Sequence, residues 1–289
     1  MKKSGATRRE ELRRFLRAMF ARKIVTVATV IVVLIVLAAV FAPVLAPFDP
    51  NEADFYHLSQ PPGSDHLLGT DAQGRDVLSR LLYGARVSLV VGVLAVCVAC
   101  VLGSVLGLCA AYCGGIVDAV IMRANEAMRC VPSVVLAMAL VTIFGKGVRN
   151  IAIILGISTL PGYVLMMRAQ ALSVSGTDYV MAARIQGNGS VRLMLRHVLP
   201  NCLSPLIVMM TQSIGSTILS EAGLSFLGVG ISIPTASWGT MVSEGKDVLL
   251  QNPTLGLLPG ICVALLVISL NTMGDGIRDA LDPRLRGEI

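Results

Sequence analysis

Charge is scarce in this chain. Only 15% of its 289 residues are Asp, Glu, Lys or Arg, where soluble domains carry roughly a quarter. Hydrophobic residues make up 54%, and the mean hydropathy is +0.75. That balance excludes a soluble globular protein and calls for a polytopic membrane protein. Catalytic signatures are missing too. HExxH and GxSxG do not occur, and the three histidines His57, His66 and His197 lack paired metal-ligand spacing. The phosphate-cradling sequence GxxxxGK followed by Ser or Thr is absent, and the short Gly145-Lys146-Gly147 does not replace it. Cys97 and Cys100 form a CxxC, but in an apolar run without charged neighbours, and the other five cysteines are scattered. Thiols so placed pack as small hydrophobes. The composition therefore points away from an enzyme, with no catalytic, metal or cofactor-binding residue of its own.

Long apolar runs are what the chain does have. Residues 24–45 contain no charge, and about 20 helical residues cross a hydrocarbon core of about 30 Å. The basic stretch before them is too long for a typical cleavable signal, so this run reads as a retained anchor. Further spans are expected at 87–112, 116–144, 151–167, 202–224 and 255–273, giving six. The third begins with Asp118, Arg123, Glu126 and Arg129 before Pro132. It is expected to start as a polar helix and then enter lipid, with an amphipathic surface helix as the competing reading.

Orientation follows from the positive charges. With the N-terminus inside, eighteen Lys and Arg residues fall on cytoplasmic segments and six on outer ones. An even number of spans places both termini in the cytoplasm. The net charge of +6 then sits on cytoplasmic flanks, which suits anionic lipid rather than nucleic acid. The expected organisation is a basic N-terminal segment (1–23), a first span with its outer loop (24–86), a transmembrane core (87–275) and a cytoplasmic tail (276–289).

The most informative stretch is DYVMAARIQGNGSVRLMLRHVLP, residues 178–200. Thr177 or Asp178 can cap a short helix running to Gln186, and Gly187-Asn188-Gly189 supplies a turn in which positive φ costs little. Ser190 is a natural N-cap for a second short helix, with Val191, Met194, Leu195 and Val198 at helical spacing and Arg192 and Arg196 one turn apart. Pro200 disfavours helical geometry in Leu199 and is expected to end it. Small residues Ala182, Ala183 and Gly187 allow close approach of another surface, and the arginines suit an acidic partner or lipid headgroups. An ordinary cytoplasmic loop with snorkelling arginines is the alternative.

This segment resembles the coupling loop of ABC-transporter permeases, whose pattern is Glu-Ala-Ala, three residues, Gly, nine residues, an apolar residue, one residue, Leu-Pro. Ala182, Ala183, Gly187, Leu199 and Pro200 fall in register; Met181 replaces the glutamate and His197 the apolar residue. RHVLPN (196–201) is similar to the peptide and nickel branch. Two further stretches resemble its dipeptide and oligopeptide permeases: GSDHLLGTDAQGRDVLSRLLYGARVSLVVG (63–92) and EAGLSFLGVGISIPTASWGTMVSEG (221–245).

In the former, Val77, Leu78, Leu81 and Leu82 lie opposite Arg75, Asp76 and Arg80, which suits a helix lying on the outer membrane surface until Gly84 redirects the chain. In the latter, Glu221 is a carboxylate near the outer end of a span, where by default it marks a substrate pathway; a hydrogen bond or ion pair holding an outer gate, or plain interfacial exposure, is the alternative. Trp238 reads as an interfacial aromatic anchor.

The resemblance implies an all-α polytopic membrane protein with six transmembrane helices and the type I ABC importer permease fold. It implies a subunit of the bacterial or archaeal inner membrane, working with a second homologous permease, two cytoplasmic ATPase subunits and an extracytoplasmic substrate-binding protein. ATP and Mg would be bound in the partner subunits. Ala182, Ala183, Gly187, Arg192, Arg196, Leu199 and Pro200 would couple the chain to the ATPases. Di- or oligopeptides are the first substrate choice, nickel or a metal chelate the second. A passive channel or secondary transporter is the reading from another class, although neither a repeated filter motif nor internal repeats are visible.

Overall fold

A computed structural model describes residues 15–281. Residues 1–14 and 282–289, which include most of the basic N-terminal segment and the arginines at 284 and 286, lie outside the described residues. Among the described residues the architecture is helical, with one isolated antiparallel bridge, Thr70 to Asp76. Five helical stretches are long and apolar enough to cross a membrane, and a sixth crossing is made if one sharply bent pair counts as a single span.

The first span, α1 (Lys23–Val40), buries only Val25, Ala28, Val32 and Ala39, leaving the rest of its apolar circumference for lipid. It lies against the last helix and against α3. The apolar run read as continuous to Leu45 breaks at Phe41 (φ −88°, ψ 9°), because Pro43 has no N–H to give to Ala39; a short α2 (Ala42–Leu45) follows.

Helix α3 (Val77–Cys113) has 37 residues and is about 55 Å long. Asp76 caps it, accepting from the Ser79 N–H at 2.7 Å. The expected surface helix ending at Gly84 is therefore corrected: the chain passes straight through Gly84 into the span. A helical glycine costs only about 1 kcal/mol. Here it lets the backbone lie against Trp238, whose Cδ1 would be 3.0 Å from an added Cβ.

The span read at 116–144 starts polar and turns apolar, as expected, but it is broken in the middle. It is two helices, α4 (Gly115–Cys130) and α5 (Ser133–Phe144), bent by 95°. Val131 is extended (φ −93°, ψ 127°) because Pro132 follows it. With Arg123, Glu126 and Arg129 exposed, α4 has the character of an amphipathic surface helix. α5 is about 18 Å long and packs on α6.

Helix α6 (Val148–Ser175) makes the most extensive contact in the molecule, against α3. A stripe of small residues on α3, Ala99, Gly103, Gly107 and Ala110, is buried in the bundle. A Cβ at Gly103 would lie 2.4 Å from Cβ of Tyr163, and one at Gly107 2.6 Å from the Val164 carbonyl. In lipid, where apolar burial between helices gains little, this backbone proximity supplies the packing.

After α6 come α7 (Asp178–Ile185), α8 (Ser190–Leu193) and a π-helical turn (Met194–Val198) that runs directly into α9 (Leu199–Phe226). Pro200 does not stop the helix as expected. It occupies the first turn of α9, where its missing N–H and fixed φ are tolerated, and the π turn absorbs the adjustment. The chain closes with α10 (Trp238–Asp247) and α11 (Thr254–Leu281). α11 continues well past the expected end at 273.

At the end of the bundle opposite the 178–200 hairpin, residues 46–76 form a non-helical cap on α10. Arg75 Nε donates to Asp71 at 2.7 Å and its Nη2 to Glu244 at 2.8 Å; Arg80 donates to the other Glu244 oxygen at 2.8 Å. Both arginines are almost wholly buried. On the cap surface, His57 beside Asp54 holds that carboxyl below the usual carboxylate range. Gly74 (φ +78°) packs against the same residue: an added Cβ would lie 1.8 Å from the Asp54 carbonyl. Gly74→Ala is therefore expected to detach the 54–59 turn from the 71–75 loop. Limited proteolysis of the purified chain checks this, with new cleavage confined to residues 50–62.

Candidate functional site

The hairpin between α6 and α9 is the first candidate site. α7 begins after Thr177, whose hydroxyl is turned back to the Val174 carbonyl (2.6 Å) instead of capping. Gly187 has φ +80°, as expected for a left-handed turn, and an added Cβ there would meet nothing within 4 Å. Asn188 Nδ2 donates to the Ala183 carbonyl at 2.8 Å and closes the end of α7. Ser190 was the expected cap of the second helix. Instead the carbonyl of Gly189 accepts from Leu193 N–H at 3.0 Å, so the helical turn opens one residue earlier.

The hairpin has two distinct faces. Val180, Ala183, Leu193 and Val198 are buried in one apolar cluster with Met167 and Ala171 of α6 and Cys202 of α9. The opposite surface is open: Tyr179, Met181, Ile185, Val191 and Leu195 are all exposed, Ile185 at 86%. Arg184, Arg192 and Arg196 are exposed among them. Of the expected coupling residues, Ala182, Gly187, Arg192, Arg196 and Pro200 lie at the open surface. Leu199 is half-buried, and Ala183 faces inward. A rigid knob results, with its apolar back fused to two membrane helices and an apolar surface studded with arginine in front. That combination suits a groove on another protein better than water.

A further link at this end was not visible in the sequence. Arg168 of α6 makes a bidentate pair with Asp118 of α4, both bonds 2.6 Å, across 50 residues of chain. It ties the amphipathic α4 to the helix that carries the hairpin.

The second candidate, Glu221, is not an open pathway carboxylate. It lies inside the subunit, 0% exposed. Its Oε1 accepts from Ser225 Oγ (2.8 Å) and Ser237 Oγ (3.0 Å), and its Oε2 from Ser88 Oγ (3.3 Å). In this conformation it reaches no surface that a solute could touch. The expected role for Trp238 is corrected in the same way. It is 2% exposed, with its indole N–H donating to the Leu81 carbonyl at 3.0 Å, so it packs inside the subunit. Of the serines, only Ser225 could have been anticipated, since it lies one turn after Glu221; Ser88 and Ser237 are distant in sequence.

Residues 103–287 match the family described as binding-protein-dependent transport system inner membrane component, and residues 11–62 match the N-terminal transmembrane domain of oligopeptide transport permease C. The chain belongs to this permease family. It is 44% identical over 254 residues to the di/tripeptide transport system permease protein of Pseudomonas aeruginosa, covering 86% of this chain and 84% of that one. The dipeptide transport system permease protein of Haemophilus influenzae is 40% identical, with 86% of each chain covered. The glutathione transport system permease protein of Pectobacterium atrosepticum is 36% identical over 96% of this chain and 91% of its own.

Among solved structures, an inward-facing form of the MetNI methionine ABC transporter matches with a TM-score of 0.58 at 17% identity. The match covers 70% of this chain and 96% of that one, and it establishes the type I importer permease fold. The permease is thus a multi-pass membrane subunit of an ABC transporter. Its family works with an ATPase and a substrate-binding protein.

Proposed function

We propose that this permease is one of two homologous membrane subunits enclosing the translocation path of an ATP-driven importer for di- or oligopeptides. The 178–200 hairpin is the observation that carries the reading. Its outward surface, Ile185, Val191 and Leu195 with Arg192 and Arg196, has the shape and chemistry to seat in a groove of a cytoplasmic ATPase. Its inward residues are packed into α6 and α9, so a displacement of the knob tilts both helices as one body. Two ATPases, one under each permease, hold the ATP and Mg; this chain has no phosphate-cradling sequence of its own.

In this reading the hairpin, α4 and both termini are cytoplasmic, and the 46–76 cap, α10 and Glu221 lie toward the outer side. Of the expected segments 1–23, 24–86, 87–275 and 276–289, the boundaries at 86 and 275 fall inside the continuous helices α3 and α11. An extracytoplasmic binding protein delivers the substrate to the capped end. The peptide assignment is supported by the names of the relatives, which specify dipeptides, di/tripeptides and glutathione.

Purification of the chain from its own membrane in mild detergent tests this directly. The expected yield is a complex with a second permease and ATPases, whose ATP hydrolysis rises when the binding protein loaded with a dipeptide is added. A chain recovered alone, under conditions that keep known complexes together, would overturn the proposal. A binding protein that retains nickel chelates but no peptide would overturn the substrate.

A further inference from the structure

Glu221 is a buried carboxylate with no cation. Among the described residues no ion pair reaches it. A buried charge without a partner is strongly disfavoured unless hydrogen bonds replace the lost water. The way they do so here is specific. Each of the three serine hydroxyls that donates to Glu221 also accepts a backbone N–H from the 231–240 stretch. Ile231 N–H donates to Ser225 Oγ (3.4 Å), Trp238 N–H to Ser88 Oγ (3.3 Å) and Thr240 N–H to Ser237 Oγ (3.1 Å). Three backbone dipoles are therefore relayed through three hydroxyls onto one carboxylate.

The elements joined are otherwise separate. Ser88 is on α3, Glu221 and Ser225 are on α9, and Ile231, Ser237, Trp238 and Thr240 belong to the linker and α10 that follow. The backbone of the linker and of α10 fits closely here. A Cβ at Gly230 would lie 2.1 Å from Ser225 Oγ, and one at Gly239 2.6 Å from Cα of Ala222 and 3.0 Å from Glu221 Oε1. At its start the linker is also tied to the α5–α6 turn: Lys146 Nζ donates to the Gly228 carbonyl at 2.7 Å.

We infer that Glu221 is a positioning residue that clamps the 227–240 segment over α3 and α9, and that this clamp sets how strongly the transport cycle depends on the binding protein. Opening at the far end of the bundle would then part α3, α9 and this segment, the elements that the three hydroxyls join. Parting them removes hydroxyls from the carboxylate while it is still shielded from water. A binding protein docked at that end supplies the energy for the separation. The second half of this inference rests on the transport reading proposed above; the clamp itself does not.

The chain carries a single tryptophan, Trp238, and its backbone N–H is one of the three relayed donors. Its emission therefore reports the clamp in the full-length chain in detergent, with no partner needed. In Glu221→Gln an amide replaces the carboxylate and one acceptor position is lost; in Ser225→Ala one relay is lost. Both are expected to shift Trp238 emission to longer wavelength. In the assembled complex both are expected to raise binding-protein-independent ATP hydrolysis about fivefold, the lower range of coupling between sites. Glu221→Asp, which keeps a carboxyl group, is expected to restore part of both.

Unchanged emission in Glu221→Gln and Ser225→Ala would overturn the clamp. Shifted emission with undiminished dependence on the binding protein would overturn its role in the cycle. If Glu221→Gln does not assemble, Ser88→Ala, which removes only the α3 contact, is held to the same two criteria. A parent complex whose ATPase ignores the binding protein would instead overturn the transport reading, while the emission test of the clamp stands.

Discussion

Arg80→Met is expected to lower the stability of the purified chain by about 3–5 kcal/mol, the range for removing one partner of a buried ion pair. The cap contains two arginines and two acids in mutual contact: Arg75 with Asp71 and Glu244, and Arg80 with the same two carboxylates at 3.3 and 2.8 Å. Taking Arg80 away leaves Asp71 and Glu244 with one cation between them in a nearly dry site. Adding Glu244→Gln removes the surplus negative charge and leaves Asp71 and Arg75 as a balanced pair, so the double variant is expected to be more stable than Arg80→Met alone. Thermal unfolding followed by size-exclusion in detergent compares the two. A double variant that melts below the single one would mean that packing of the guanidinium, and not charge balance, holds the cap on α10.

Gly187→Val is expected to impair uptake severely while leaving the chain inserted and assembled. The residue has φ +80°, a region a β-branched side chain adopts only at substantial cost. No atom lies within 4 Å of the added Cβ, so the strain cannot spread as a clash. It is relieved locally by turning α7 against α8 and misdirecting the exposed Ile185 and Val191. A loss of at least about tenfold in uptake, equal to 1.4 kcal/mol in the coupling step, is expected with little change in complex yield. Gly189 supplies the control. It has no positive φ and no neighbour within 4 Å, and Gly189→Ala is expected to transport normally. If both variants transport alike, the hairpin's geometry does not carry the coupling.

The hairpin was legible because its information is local. A Gly-Asn-Gly turn, small residues and arginines one turn apart all act over a few residues, and Gly187 takes the left-handed conformation that its chemistry allows. Its limits were less legible. Pro200 reads as a stop, but the π turn at 194–198 carries the helix past it into α9, an adjustment that depends on the packing of Val198 and Cys202 against α6. The bend at Pro132 shows the opposite case. The polar first half of that stretch could be seen, whereas the 95° angle between α4 and α5 goes with the packing of α4 on α3 and α6 and of α5 on α6.

Glu221 marks the boundary of what sequence reasoning reaches here. A carboxylate near the end of an apolar run announces itself, yet its role depends on what surrounds it. Ser88 lies 133 residues before it in the chain and Ser237 16 residues after it, and a serine in an apolar segment carries no signal of its partner. The same holds for Arg80 and Glu244, 164 residues apart, and for Arg168 and Asp118.

By itself the sequence determined that this protein crosses a membrane several times, that it carries a compact polar knob between two spans, and that it belongs with permeases that take their energy from another subunit. The first two follow from hydropathy and turn chemistry, which are summed along the chain; the third rests on the resemblance of its motifs to that family. Only the tertiary structure decided which charges are neutralised, which carboxylate is sealed from solvent, and which helices the knob packs against. Burial and electrostatic pairing are set by distances between residues that the chain itself keeps far apart.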